Sequence, residues 1–122
     1  MKPKGWVVDM RHYLDEETGD VPLALPDRVL SLAMFFGAIV AWVTDHLPTG
    51  DTDTNVPCRR RPDRRRCHGE IIAALDRTSG SIVWHCPLCG DNGWIHGWED
   101  TRWDRQPGAG TWPAAPSSTS TH

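Results

Sequence analysis

Across residues 29–43 only Ser31 and Gly37 interrupt an otherwise apolar run. That pattern predicts a helix, and its borders agree: Asp27 can accept backbone N–H bonds at the start, His46 suits the negative end of the helix dipole, and Pro48 stops the run. Such a helix has no polar face to give to water. It is expected to be covered on nearly every side, beneath the rest of the fold or against a second copy in a homodimer through residues 29–43. A core of fifteen residues, 29–43, bounded by Arg28 and Asp45, falls short of the roughly 20 that cross a bilayer, so no membrane partner is expected.

Upstream, "GWVVDMRHYL" is β-branched and aromatic in its first half and reads as a strand, "DEETGD" as an acidic turn, and "VPLALP" as an extended return, because two prolines discourage helix. These three predict an N-terminal β-hairpin. Downstream, "PTGDTDTNVP" has turn-forming residues and no apolar period, so residues 48–57 read as a linker. "GEIIAALD", "RTSG" and "SIVWHCP" follow as strand, turn and strand, and "GWIHGWEDTRWD" as a third strand with an aromatic cluster. The last stretch, residues 106–122, is small, Pro-rich and Ser/Thr-rich, the composition of a disordered tail. The expected class is α+β: a hairpin-plus-helix segment over 1–47, the linker, a strand-rich unit over 58–105, and the tail.

A chain of 122 residues split in this way buries little core, so a staple is expected, and four cysteines are there to supply it. The first residues lack the apolar run and small-residue cleavage site of a secretory signal, which favours the cytoplasm and reduced thiols. A metal is therefore the expected use of the cysteines rather than disulfides. Charge is uneven beneath a formal net value of -3: residues 1–56 sum to -5, residues 57–77 to +4, and the remainder to -2. The positive block is the six arginines of "CRRRPDRRRCHG".

Cys86 and Cys89 lie two residues apart in "CPLCG", a spacing that aims both sulfurs at one point while Gly90 takes the left-handed backbone conformation. Cys58 and Cys67 are separated by eight residues, and Cys67 is followed closely by Gly69. A strand, turn and strand between Cys67 and Cys86 would bring both pairs to one end of a hairpin. This arrangement resembles a zinc ribbon of the rubredoxin-like kind over residues 58 to 98, and small bacterial proteins with an Arg-rich cysteine loop ahead of a CPxCGDNG knuckle. The resemblance implies one structural zinc held by Cys58, Cys67, Cys86 and Cys89. The long first gap departs from the ribbon pattern, and His68 or His85 would substitute if Cys58 is not a ligand. Iron shares the same ligands and geometry.

His68 and Glu70 also spell H-x-E and, with the C-x-x-C, echo zinc-dependent nucleobase deaminases. Position 85 is His where that signature has proline, and no helical period follows Cys89, so deaminase chemistry is a remote alternative and no enzyme is expected. Two binding readings remain. Arg59, Arg60, Arg61, Arg64, Arg65 and Arg66 could meet nucleic-acid phosphates while Trp84, Trp94, Trp98 and Trp103 stack on bases, Trp94 and Trp98 foremost. Alternatively the arginines grip an acidic protein surface and the chain is an adapter. Tryptophans in so small a unit also serve simply as core.

Overall fold

The computed structural model describes residues 5–47, 52–60 and 65–109. It is an α+β fold in two layers, a five-stranded mixed sheet with one long helix across one face. The elements are β1 (Trp6–Asp9), a 3-10 turn (Met10–Tyr13), α1 (Asp27–Asp45), β2 (Thr52–Pro57), β3 (Glu70–Leu75), β4 (Ile82–His85) and β5 (Asn92–His96). The spatial order is β1-β5-β4-β3-β2, antiparallel throughout except that β1 lies parallel to β5.

The expected N-terminal hairpin is replaced by this parallel pair. After β1 the Asp9 carboxylate accepts the Arg11 N–H at 3.0 Å and turns the chain into the 3-10 turn, so the strand ends early. The acidic turn forms as expected, with Asp15 accepting the N–H of Glu17 at 2.7 Å and Gly19 at φ 74. Residues 21–26 do not return to pair with β1: the two prolines cannot donate to a ladder, and β5 occupies the pairing edge instead.

The expected linker is corrected as well. Residues 48–51 lie outside the described residues, but Thr52–Pro57 is a strand at the sheet edge, antiparallel to β3. Its polar composition is accommodated by a bulge. The register shifts between Asp53 and Pro57, and Asn55 takes φ 57, a conformation Asn tolerates better than most residues. Thr54 is buried there and its hydroxyl donates to the Ile71 carbonyl at 2.8 Å across the ladder.

The meander β3-β4-β5 forms as its alternation predicts. Trp84 on β4 and Gly93 on β5 pair with Ala73 and Trp6 in one cross-strand row, and Leu75, Ile82, Ile95 and Val8 make the next row on the same face. Against that face α1 lays Phe36, Ile39, Val40 and Val43, with Phe35 edge-on to the Trp84 indole at 5.7 Å and Phe36 tilted against it at 5.9 Å. The turn between β3 and β4 is held by Asp76, which accepts the Thr78 N–H and the Ser79 hydroxyl, both at 3.0 Å; these bonds hold its carboxyl below the usual range.

Helix α1 begins at Asp27 itself, with Pro26 as the cap residue, so the Asp27 carboxylate sits in the first turn beside the positive end of the dipole and makes no capping bond. His46 closes the other end with its ring stacked on Trp42 at 4.3 Å. Burial within the chain is one-sided: Leu30, Ser31, Met34 and Ala38 face outward, so the described residues cover one side of the helix. At 19 residues the helix is long and apolar enough to cross a membrane by length and composition, yet here its apolar face is one layer of the core.

Residues beyond β5 wrap the end of the sheet. Trp98 donates to the Gly80 carbonyl at 2.9 Å, Trp103 lies against Gly37, and the Arg105 N–H reaches the Thr44 hydroxyl at 2.9 Å. The expected tail lies outside the described residues from 110 onward; its first part forms a turn in which Ala109 donates to the Gln106 carbonyl at 3.0 Å.

Gly37 is where helix and wrap meet: a Cβ there would sit 2.5 to 2.7 Å from the Trp103 indole. Gly37→Leu is therefore expected to destabilise the fold by about 1–3 kcal/mol through overpacking, despite better helix propensity. Thermal unfolding followed by circular dichroism checks this, with Ala38→Leu on the exposed side of the helix expected to change stability by less than about 0.5 kcal/mol.

Candidate metal centre

The hairpin tips β2–β3 and β4–β5 project from the same end of the sheet, and each supplies two cysteines. Cys58 follows β2 and Cys67 precedes β3; Cys86 follows β4 and Cys89 precedes β5. Two backbone bonds close the first tip, Cys58 N–H to the Gly69 carbonyl and Cys67 N–H to the Arg60 carbonyl, both at 2.9 Å. The second tip is closed by Cys86 N–H to the Asp91 carbonyl at 2.7 Å and Gly90 N–H to the Cys86 carbonyl at 2.9 Å. Gly90 takes φ 83, as the knuckle spacing predicts.

These constraints bring the four sulfurs within 4.8 Å of one another. Sγ of Cys58 lies 3.7 Å from that of Cys89, and Sγ of Cys67 lies 3.6 Å from that of Cys86. A tetrahedron with metal–sulfur bonds of about 2.3 Å has edges of about 3.8 Å, so the set is sized for one ion. The same separations are far from a covalent bond of about 2.05 Å, and all four cysteines are free. Cys58, Cys67 and Cys86 are buried and Cys89 partly so.

Each sulfur also accepts a backbone N–H from the residue two positions on: Arg60 to Cys58 at 3.5 Å, Gly69 to Cys67 at 3.3 Å, Leu88 to Cys86 and Asp91 to Cys89. Donors converging on sulfur stabilise negative charge there, as thiolate ligands require. Burial pushes the Cys58 and Cys89 thiols up, whereas at Cys86 burial is outweighed by the N–H groups of Cys89 and Leu88 together with the Cys67 and Cys89 thiols, which hold it below its ordinary range. Gly69 leaves no room to spare: a Cβ there would meet Sγ of Cys86 at 2.5 Å.

Cys58 therefore belongs to the cluster despite the long gap that follows it, because the bond from the Cys67 N–H to the Arg60 carbonyl closes the tip across that gap. His68 and His85 are exposed and lie outside the four-sulfur set. Glu70 is exposed too, and a turn and β5 follow Cys89 where the deaminase pattern would have a helix. Arg61 and Arg64 lie outside the described residues; Arg59, Arg65 and Arg66 are exposed around the tip. The Arg59 guanidinium lies over the Phe35 ring at 5.8 Å, and Arg60 reaches the Asp91 carboxylate at 3.4 Å.

The tryptophans do not assemble as a platform beside these arginines. Trp98, at 3 % exposure, is core, which corrects its assignment as a contact residue; Trp84 and Trp103 are buried with it. Gly97, at φ 63, breaks the alternation that would have put Trp98 on the Trp94 face. Trp94 remains 42 % exposed, but on the sheet face opposite α1, away from the side to which Arg59 leans. The exposed aromatic that sequence reading passed over is Trp6, at 43 %. Its signal was faint, because a lone Trp in a β-branched strand reads as core.

Four convergent cysteines at one end of the mixed sheet of an α+β protein could hold a metal ion, and their arrangement is compatible with a zinc ribbon. No protein-family model matches the chain, and neither a curated protein nor a solved structure matches it.

Elemental analysis of the purified protein is expected to find one divalent metal per chain, with four thiols becoming titratable only after chelation and unfolding. Gly69→Ala is expected to lower metal affinity at least tenfold by displacing Sγ of Cys86, measured by competition with a chromogenic chelator. Unchanged affinity in that variant, or covalent sulfur pairs in native material, would contradict the site.

Proposed function

We propose that the protein is a structural-zinc module whose Arg-rich hairpin tip binds nucleic acid through its phosphates. The observation that carries the metal half is the convergence of four sulfurs within 4.8 Å. With all four positions taken by sulfur no site is left for water or substrate, so the ion's role is to fold the protein. A zinc tetrathiolate carries a formal charge of -2, and the arginines next to it serve as partial counter-charge as well as contact groups. Zinc rather than iron is proposed because such closed four-cysteine sites are its usual structural form.

The nucleic-acid half is supported by the placement of exposed Arg59, Arg65 and Arg66 on a tip that the metal would rigidify. Guanidinium groups fixed at one tip meet successive phosphates without ordering a flexible loop first. Such binding needs no base pattern and no turnover, and it suits a protein of the cytoplasm.

Binding to a mixed-sequence single-stranded octanucleotide should weaken with salt along a logarithmic slope of about -3 to -4, for four to six neutralised phosphates. Replacing Arg65 and Arg66 by Gln should flatten that slope by roughly 1.4 without loss of metal. Absence of any retention of DNA or RNA at low salt would overturn the reading and leave an acidic protein surface as the partner. Iron in place of zinc in the elemental analysis would overturn the choice of metal alone.

A further inference from the structure

Between the start of α1 and the metal-binding tips lies a cleft of about 280 Å3. Its apolar wall is Trp6 from β1 and Leu32, Phe35 and Phe36 from α1, with Trp6 edge-on to Phe36 at 5.9 Å. Its polar wall consists of Arg59, Arg60 and Asp91, residues that directly follow the cysteine pairs. The backbone of both Arg60 and Asp91 donates to a cluster sulfur, so the polar wall is placed by the same hydrogen bonds that shape the metal centre.

We infer that this cleft is a binding site for one unpaired nucleobase, stacked on Trp6 beside Phe35 with its phosphate on Arg59. The inference rests on the nucleic-acid reading above and deepens it. Three features select that ligand. The volume falls just below the roughly 300–1,000 Å3 of pockets for drug-sized molecules, so it suits one ring system rather than a large cofactor. Trp6 is 43 % exposed, which leaves its indole accessible to a planar group, while the Arg59 guanidinium already lies over the half-buried Phe35 ring. Two guanidinium groups against one carboxylate leave the cleft positive, which favours a ring that brings an anion with it.

Asp91 adds polarity at the other end. Its carboxylate is largely buried and engaged by Arg60 at 3.4 Å, and a carboxylate has acceptor sites beyond one such bond. An exocyclic amine of the base is the complementary donor. A base stacked in a duplex presents no free face, so the site discriminates single strands from double strands by access. In this arrangement Trp6, on the helix-side cleft, takes the stacking role that the sequence assigned to Trp94 and Trp98.

The test uses the metal-loaded full chain, a mixed-sequence single-stranded octanucleotide, and AMP as the separate small probe. The Trp6 indole N–H resonance, assigned by its loss in Trp6→Phe, is expected to shift saturably with the octanucleotide. Trp6→Ala and Phe35→Ala are expected to weaken octanucleotide binding about tenfold or more, since stacking on one aromatic ring contributes on that order. Trp94→Ala is expected to leave it unchanged. If either cleft variant fails to keep its metal, the shift in the unaltered protein decides. Octanucleotide binding with an unmoved Trp6 resonance would overturn the cleft while sparing the nucleic-acid reading. Should no oligonucleotide bind, a saturable Trp6 shift with AMP would still support the base site and overturn only the wider reading; no shift with either probe overturns both.

Discussion

Four sulfurs from four chain positions converge at one end of the sheet, and the rest of the structure follows from what holds them there. Two hairpin tips must stand side by side, which requires β2–β3 and β4–β5 to share a sheet through the β3–β4 turn. Each tip is closed by backbone bonds, and each sulfur is aimed by an N–H two residues on. Among the described residues one α-helix covers one face of the sheet, and a metal held at the open end of the two hairpins would add stability to the apolar burial of so small a fold.

The metal end also organises the surface around it. Arg59 leans over Phe35, Arg60 meets Asp91, and Gly69 yields its side-chain space to sulfur. The aromatic residues of α1 face Trp84 on one side and the cleft on the other, so the core and the proposed base site share a wall. The two-layer design leaves the opposite sheet face, with Val7 and Trp94, and the outer side of α1, with Leu30 and Met34, in contact with solvent.

Much of the second half was legible in the chain. Alternation in "EIIAAL" and "SIVWH" marks β3 and β4, the turn residues of "RTSG" separate them, and the spacing of Cys86 and Cys89 with Gly90 implies a knuckle whose geometry the structure reproduces. These features are local: period, turn chemistry and a two-residue gap act within a few residues of one another. The apolar run of α1 was equally plain, although its one-sided burial was not, since a sequence states which residues avoid water and not how many neighbours exist to cover them.

What sequence alone determined about this protein is thus its helix, its meander and its candidate ligands, because local backbone preference and side-chain chemistry settle those. The tertiary structure decided the remainder. The parallel pairing of Trp6–Asp9 with β5 joins residues almost ninety positions apart, and the strand Thr52–Pro57 exists only through a bulge and a buried Thr54 hydroxyl bonded to Ile71. Likewise the left-handed turn at Gly97 sent Trp98 inward, and the approach of α1 to the metal end set Trp6 and Phe35 beside Arg59. Pairing between distant segments depends on which edges and faces remain unoccupied once the local elements have formed, and that competition is settled in three dimensions.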